Sequence, residues 1–162
     1  MPMFNSTRRV KHSPERMFAL VADVEKYPQF LPLCEGLVVR RRTPREGGGE
    51  VLMADMTVGY KAIRETFTSR VTLDPANLKI LVEYVDGPFR HLENRWSFKA
   101  MEGGCEIAFF ISYEFASRML SLLMGTMFDK AFRKFAEAFE RRADLVYGRA
   151  RTTVTDGSAP PA

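Results

Sequence analysis

The chain has 162 residues, of which 46% are hydrophobic and 12% aromatic, enough for one domain with a full apolar core. Its 24 lysines and arginines against 20 acids leave a net charge of +4, a mild excess that suits an anionic membrane surface or RNA without selecting either. The two cysteines, Cys34 and Cys105, lie too far apart for a paired metal-site spacing, and the start MPMFNSTRRV lacks the apolar core of a signal peptide, so a cytosolic protein with reduced thiols is expected.

In chain order, an opening strand is predicted near 4–10. Ser13 followed by Pro14 and Glu15 has the form of a helix start: a capping hydroxyl, a proline whose missing N–H costs nothing in the first turn, and an acid near the positive helix end. A short helix to about Glu25 presents Met17, Phe18, Leu20, Val21 and Val24 on one face. Pro28 and Pro32 then confine YPQFLPLC, 27–34, to a turn or a single helical turn, and its Tyr27, Phe30, Leu31, Leu33 and Cys34 need covering. Six strands are predicted over 37–42, 50–58, 60–73, 78–85, 91–100 and 105–115, separated by turn signals such as PREGGG, DPAN, DGP and EGG.

The alternation assigns faces. Leu92, Asn94, Trp96 and Phe98 share one side against Glu93, Arg95, Ser97 and Lys99; Ile107, Phe109, Ile111, Tyr113 and Phe115 oppose Glu106, Ala108, Ser112 and Glu114. After Ser117, apolar residues from Leu120 to Val146 recur at spacings of three and four, predicting one long amphipathic helix across the apolar face, ended by Gly148. The remainder, 149–162, is rich in turn formers and reads as a disordered tail on a domain spanning 1–148. The fold class is α+β: a curved antiparallel sheet of about seven strands wrapped around a long C-terminal helix, with one or two short helices after the first strand. The apolar run at 119–128 falls short of the roughly 20 residues that cross a bilayer.

A curved sheet around a straight rod leaves a concave space. The first half of the long helix, apolar nearly all round, is expected to wall it with Leu120, Leu123, Met124, Met127 and Phe128. Phe67, Phe89, Leu92, Trp96 and Phe109 are expected to line it from the sheet, and Tyr27, Phe30 and Leu31 to close it as a gate or as the plug of an ordinary core. Glu65 and Asn94 break the apolar phase, so each either faces the cavity and meets a ligand or is satisfied by solvent or the protein. No reactive constellation is legible: His12 and His91 read as solvated, and both cysteines as small buried hydrophobes, so no catalysis and no cofactor are expected. Arg40, Arg41 and Arg42 are candidates for contact with lipid or RNA phosphates.

Four segments carry a family resemblance: Tyr27-Pro28-x-Phe30-Leu31-Pro32-x-Cys34; Phe67-Thr68-Ser69-Arg70; Asp86-Gly87-Pro88-Phe89 with Leu92, Trp96 and Phe98; and Ala138-Phe139-Glu140-x-Arg142-Ala143 with Val146-Tyr147-Gly148. Over about residues 3–148 the chain resembles the coenzyme Q-binding proteins and the related RatA-type proteins of the START-like superfamily of polyketide cyclases and lipid-transport domains. The resemblance implies a helix-grip fold, a hydrophobic tunnel, and noncatalytic binding of a ubiquinone-like isoprenoid quinone in support of respiration, with peripheral contact at the inner face of the membrane. The alternative it implies is a RatA-type partner of the large ribosomal subunit that blocks subunit joining. An aromatase or cyclase shares the fold but would want polar groups in the cavity that are not legible here.

Overall fold

The computed structural model describes residues 2–148; the tail predicted over 149–162 lies outside them. Seven strands, β1 (Met3–Val10), β2 (Cys34–Pro44), β3 (Glu50–Tyr60), β4 (Ile63–Asp74), β5 (Lys79–Asp86), β6 (Phe89–Met101) and β7 (Gly104–Phe115), form one antiparallel sheet ordered β1-β7-β6-β5-β4-β3-β2. Hairpins link β2 through β7 in succession, and β1 closes the order by pairing with β7, Phe4 opposite Ile111. The predicted faces are the observed ones. Leu92, Trp96, Phe98, Ile107, Phe109, Ile111, Tyr113 and Phe115 are all buried on the helix side. At the β2–β3 turn Gly47, Gly48 and Gly49 all take positive φ, and a Cβ on Gly49 would lie 2.0 Å from the Leu73 carbonyl oxygen, so glycine is required there.

Between β1 and β2 lies helix α1 (Pro14–Ala22), capped by the Ser13 hydroxyl accepting from the Arg16 N–H at 3.1 Å. It ends three residues before the expected Glu25, because a 3-10 helix over Val24–Gln29, with Pro28 inside it, takes over. The tighter turn accommodates a proline that an α-helix interior would reject.

The predicted single C-terminal helix is instead two, α2 (Arg118–Arg133) and α3 (Phe135–Tyr147). At Lys134 the backbone N–H turns to the carbonyls of Ala131 and Phe132 rather than following the α-helical ladder, which tightens the coil by a fraction of a turn. The break lets both halves keep an apolar stripe on a curving sheet. Phe128 and Phe132 meet Tyr113, while Phe139 meets Trp96.

His12 corrects the expectation of a solvated residue: it is buried, with Nε2 2.7 Å from Asp144 Oδ1 on α3. The contact spans 132 positions in sequence, so local pattern gives no hint of it. Arg8 to Glu140 at 2.6 Å, and the Tyr147 hydroxyl donating to the Arg16 carbonyl at 3.2 Å, complete a clasp between α3 and the β1–α1 corner. His91 is also less solvated than expected, half-buried with Nε2 2.8 Å from the Ser112 hydroxyl.

β2 is the outer strand on its side of the sheet, with bulges between Cys34 and Gly36 and between Val39 and Arg41. Arg40, Arg41 and Arg42 stand exposed along it. Arg40 pairs with Asp55 at 2.9 Å, and Arg42 bridges Glu25 at 2.9 Å and Glu50 at 3.1 Å.

Candidate functional site

The sheet, the 27–33 segment and the helices enclose an apolar cavity of about 90 Å³. Its wall takes Tyr27, Leu31, Pro32 and Leu33 from the segment before β2, Phe67, Leu92 and Trp96 from the sheet, and Phe128, Ala131, Phe132, Phe135 and Phe139 from the helices. The placement follows from the pleat, since alternate residues at the middle of β3 to β6, such as Ala54, Met56, Phe67, Val71, Leu92 and Trp96, face this space. Leu33 holds a left-handed backbone, φ 68°, a conformation that costs a side chain-bearing residue about 1–2 kcal/mol.

Several sequence assignments change. The helical wall belongs to Phe128 and the residues after it, through the α2–α3 break, and Leu120, Leu123, Met124 and Met127 are not on it. Met124 is fully buried in the core, Leu120 and Met127 are half-buried, and Leu123 is 53% exposed. The first turns of α2 give one side to the core, through Leu120 and Met124, and leave Met119, Leu122 and Leu123 of an all-round apolar segment in solvent. Phe30 packs edge-on against Phe139 beside the cavity rather than on its wall. Phe89 and Phe109 are buried in neighbouring aromatic clusters, Phe89 against Phe115 and Phe67, Phe109 against Trp96 and Phe4. Glu65 sits half-buried on β4 and does not reach the cavity.

The polar groups on the wall are mostly spent. The Tyr27 hydroxyl donates to the Val21 carbonyl at 2.5 Å, the Asn94 amide donates to the Phe110 carbonyl at 2.8 Å, and the Asn94 oxygen accepts from Trp96 Nε1 at 2.9 Å. Asn94 thus resolves both ways, on the wall yet satisfied by the protein. Ser69 was not singled out in the sequence, although it occupies the apolar phase of β4 between Phe67 and Val71. It is buried on the wall.

No wall residue is a histidine, cysteine or charged group, and no cluster of three potential metal ligands occurs among the described residues. Burial raises the Tyr27 hydroxyl far above its ordinary range, so it stays protonated. Burial likewise pushes the Cys34 and Cys105 thiols up to about 11 from 9.0. A thiol harder to ionise when folded contributes stability that is present below pH 9.0 and lost as pH rises towards about 11. The urea midpoint is therefore expected to hold up to pH 9.0 and fall above it, and iodoacetamide to label the cysteines only once the chain is unfolded. Native labelling at the rate of the denatured chain would contradict this.

The polyketide cyclase / dehydrase and lipid transport family matches residues 10–140. A protein named ribosome association toxin RatA, from Escherichia coli K12, is 36% identical over 91% of this chain and 90% of its own. The mitochondrial coenzyme Q-binding protein coq10 of Schizosaccharomyces pombe is 28% identical over 88% of this chain and 87% of its own. An 18 kDa Caulobacter crescentus protein solved in solution superposes with a TM-score of 0.74 at 30% identity, covering 91% of this chain and 99% of that one. Helix-grip architecture, matched span and these relatives agree: the chain belongs to the polyketide cyclase / dehydrase and lipid transport family, with RatA-named and coenzyme Q-binding proteins among its relatives.

Proposed function

We propose that the protein is a noncatalytic carrier that takes up a ubiquinone-like isoprenoid quinone and presents it at the inner face of the membrane. The observation that carries this reading is the cavity itself: apolar, free of acid–base pairs, with the Ser69 hydroxyl able to donate to a quinone carbonyl. The closed cavity of about 90 Å³ is well below the ~300–1,000 Å³ of ordinary ligand pockets, so uptake requires the wall to move. Leu31-Pro32-Leu33 is the part to move: it stands between cavity and surface and stores the strain at Leu33. Swinging a buried Leu or Phe into water costs about 1.5–3 kcal/mol each, which favours opening against lipid.

Trp96 is the one tryptophan of the chain and lines the cavity. A short-chain ubiquinone is expected to quench its fluorescence saturably, without turnover, and solvent extracts of protein purified from its own host to contain quinone. Absence of both signals would end the quinone reading. A second reading, association with the large ribosomal subunit, is favoured by the identity to the RatA-named relative. Salt-sensitive co-sedimentation with that subunit by a quinone-free protein would select it.

A further inference from the structure

Beside the cavity, and sharing Pro32 with it, a second pocket of about 310 Å³ lies between α3 and the turn that follows the 3-10 helix. Lys134, Arg141 and Arg142 line it, against one acid, Glu137, which is already paired with Arg141. Lys134 is exposed and has no ion-pair partner among the described residues. Arg142 lies over the Phe30 ring at 5.1 Å and donates from Nη2 to Gln29 at 2.6 Å, but its Nε is buried without an acceptor. An orphaned buried donor is costly, so the guanidinium gains by turning toward an incoming anion. The rest of the lining is apolar: Phe30, Pro32, Ala138 and Leu145, the last 80% exposed.

We propose that this pocket binds a phosphate group, with the apolar floor receiving the adjoining hydrocarbon of an anionic phospholipid. Three cations against one paired acid select an anion, and the two terminal donors of an arginine fork match phosphate oxygens. Exposed Leu145 and the ring of Phe30 fit an amphiphile better than a nucleic-acid backbone, which would leave them in water. The site does not depend on what fills the neighbouring cavity; it places the cavity's Pro32 rim against the headgroup layer.

The test is flotation of the full chain with phosphatidylcholine vesicles, with and without phosphatidylglycerol. Binding is expected only with phosphatidylglycerol, weakened about fivefold for each charge removed by Lys134→Ala and Arg141→Ala. Lys99→Ala, an exposed charge on β6, controls for net charge and is expected to bind as the unmodified protein does. Both test residues are exposed, and thermal melting verifies that the variants fold. In a second arm, inorganic phosphate raises the melting temperature of the unmodified protein but not of the Lys134→Ala/Arg141→Ala variant. Stabilisation by phosphate without vesicle binding keeps the anion site and assigns it a free phosphate. Equal vesicle binding by the test variants and Lys99→Ala, or a loss confined to binding of an oligoribonucleotide, overturns the proposal.

Discussion

Phe139→Ala is expected to cost about 3–5 kcal/mol of stability, the range for truncating a fully buried aromatic side chain. Phe139 is 0% exposed and is the point where the 3-10 helix with its C-terminal turn and strand β6 both meet α3. Its ring takes edge-to-face contacts from Tyr27 at 5.3 Å, Phe30 at 5.1 Å and Trp96 at 5.1 Å. Such pairs add about 0.5–1.5 kcal/mol beyond area burial. The deletion would also merge a new void with the existing cavity, and Tyr27 and Trp96, tied by hydrogen bonds to the Val21 carbonyl and to Asn94, have little freedom to collapse into it. Equilibrium urea unfolding measures the loss, with Phe139→Leu as a milder comparison. A loss below about 1 kcal/mol, no more than an average substitution gives, would mean that the aromatic junction is not what fastens α3 to the sheet.

The second large effect is on ligand uptake. Ala54 is buried on the inner face of β3 and lines the cavity, so Ala54→Leu places three further carbons in a space of about 90 Å³. Quenching of Trp96 by short-chain ubiquinone is expected to weaken more than about tenfold, equivalent to ~1.4 kcal/mol. Folding stability is expected to hold or rise by roughly 0.5–2 kcal/mol, as cavity filling does elsewhere. Leu123→Ala, on the solvent side of α2, serves as the comparison and leaves quenching unchanged. Undiminished quenching by Ala54→Leu in a folded protein would place any quinone outside this cavity.

The β3–β4 turn at Lys61 and Ala62 carries no glycine, proline or aspartate, so the sequence breaks the strands at 59 while β3 runs on to Tyr60; the rest of the sheet was legible from turns that do carry such residues and from period-two alternation in its strands. β6 and β7 could be assigned residue by residue to faces on that basis alone. The cavity wall was much less legible. An all-round apolar stretch such as 119–124 has no phase, so periodicity cannot say which side meets the sheet; the structure leaves Met119, Leu122 and Leu123 out and recruits Phe132, Phe135 and Phe139 further on. Nothing at Lys134 marks a break either, since neither proline nor glycine stands there and the cause is the curvature of a distant surface. His12 was misplaced for a similar reason, its partner Asp144 lying at the other end of the chain. Ser69 did leave a signal, a hydroxyl within an apolar phase, of the same kind that drew attention to Asn94 and Glu65.

The bulged, arginine-bearing rim at β2 bears on how the protein behaves at high concentration. An open sheet ends in a row of unpaired backbone donors and acceptors, which can template the addition of a strand from another molecule. Two bulges put the ladder of β2 out of regular register, and the charges of Arg40, Arg41 and Arg42 make a second copy of the same strand repel the first. Arg40 and Arg42 are held by Asp55, Glu25 and Glu50, so a strand added at this edge would have to disturb those ion pairs, which opposes an eighth strand.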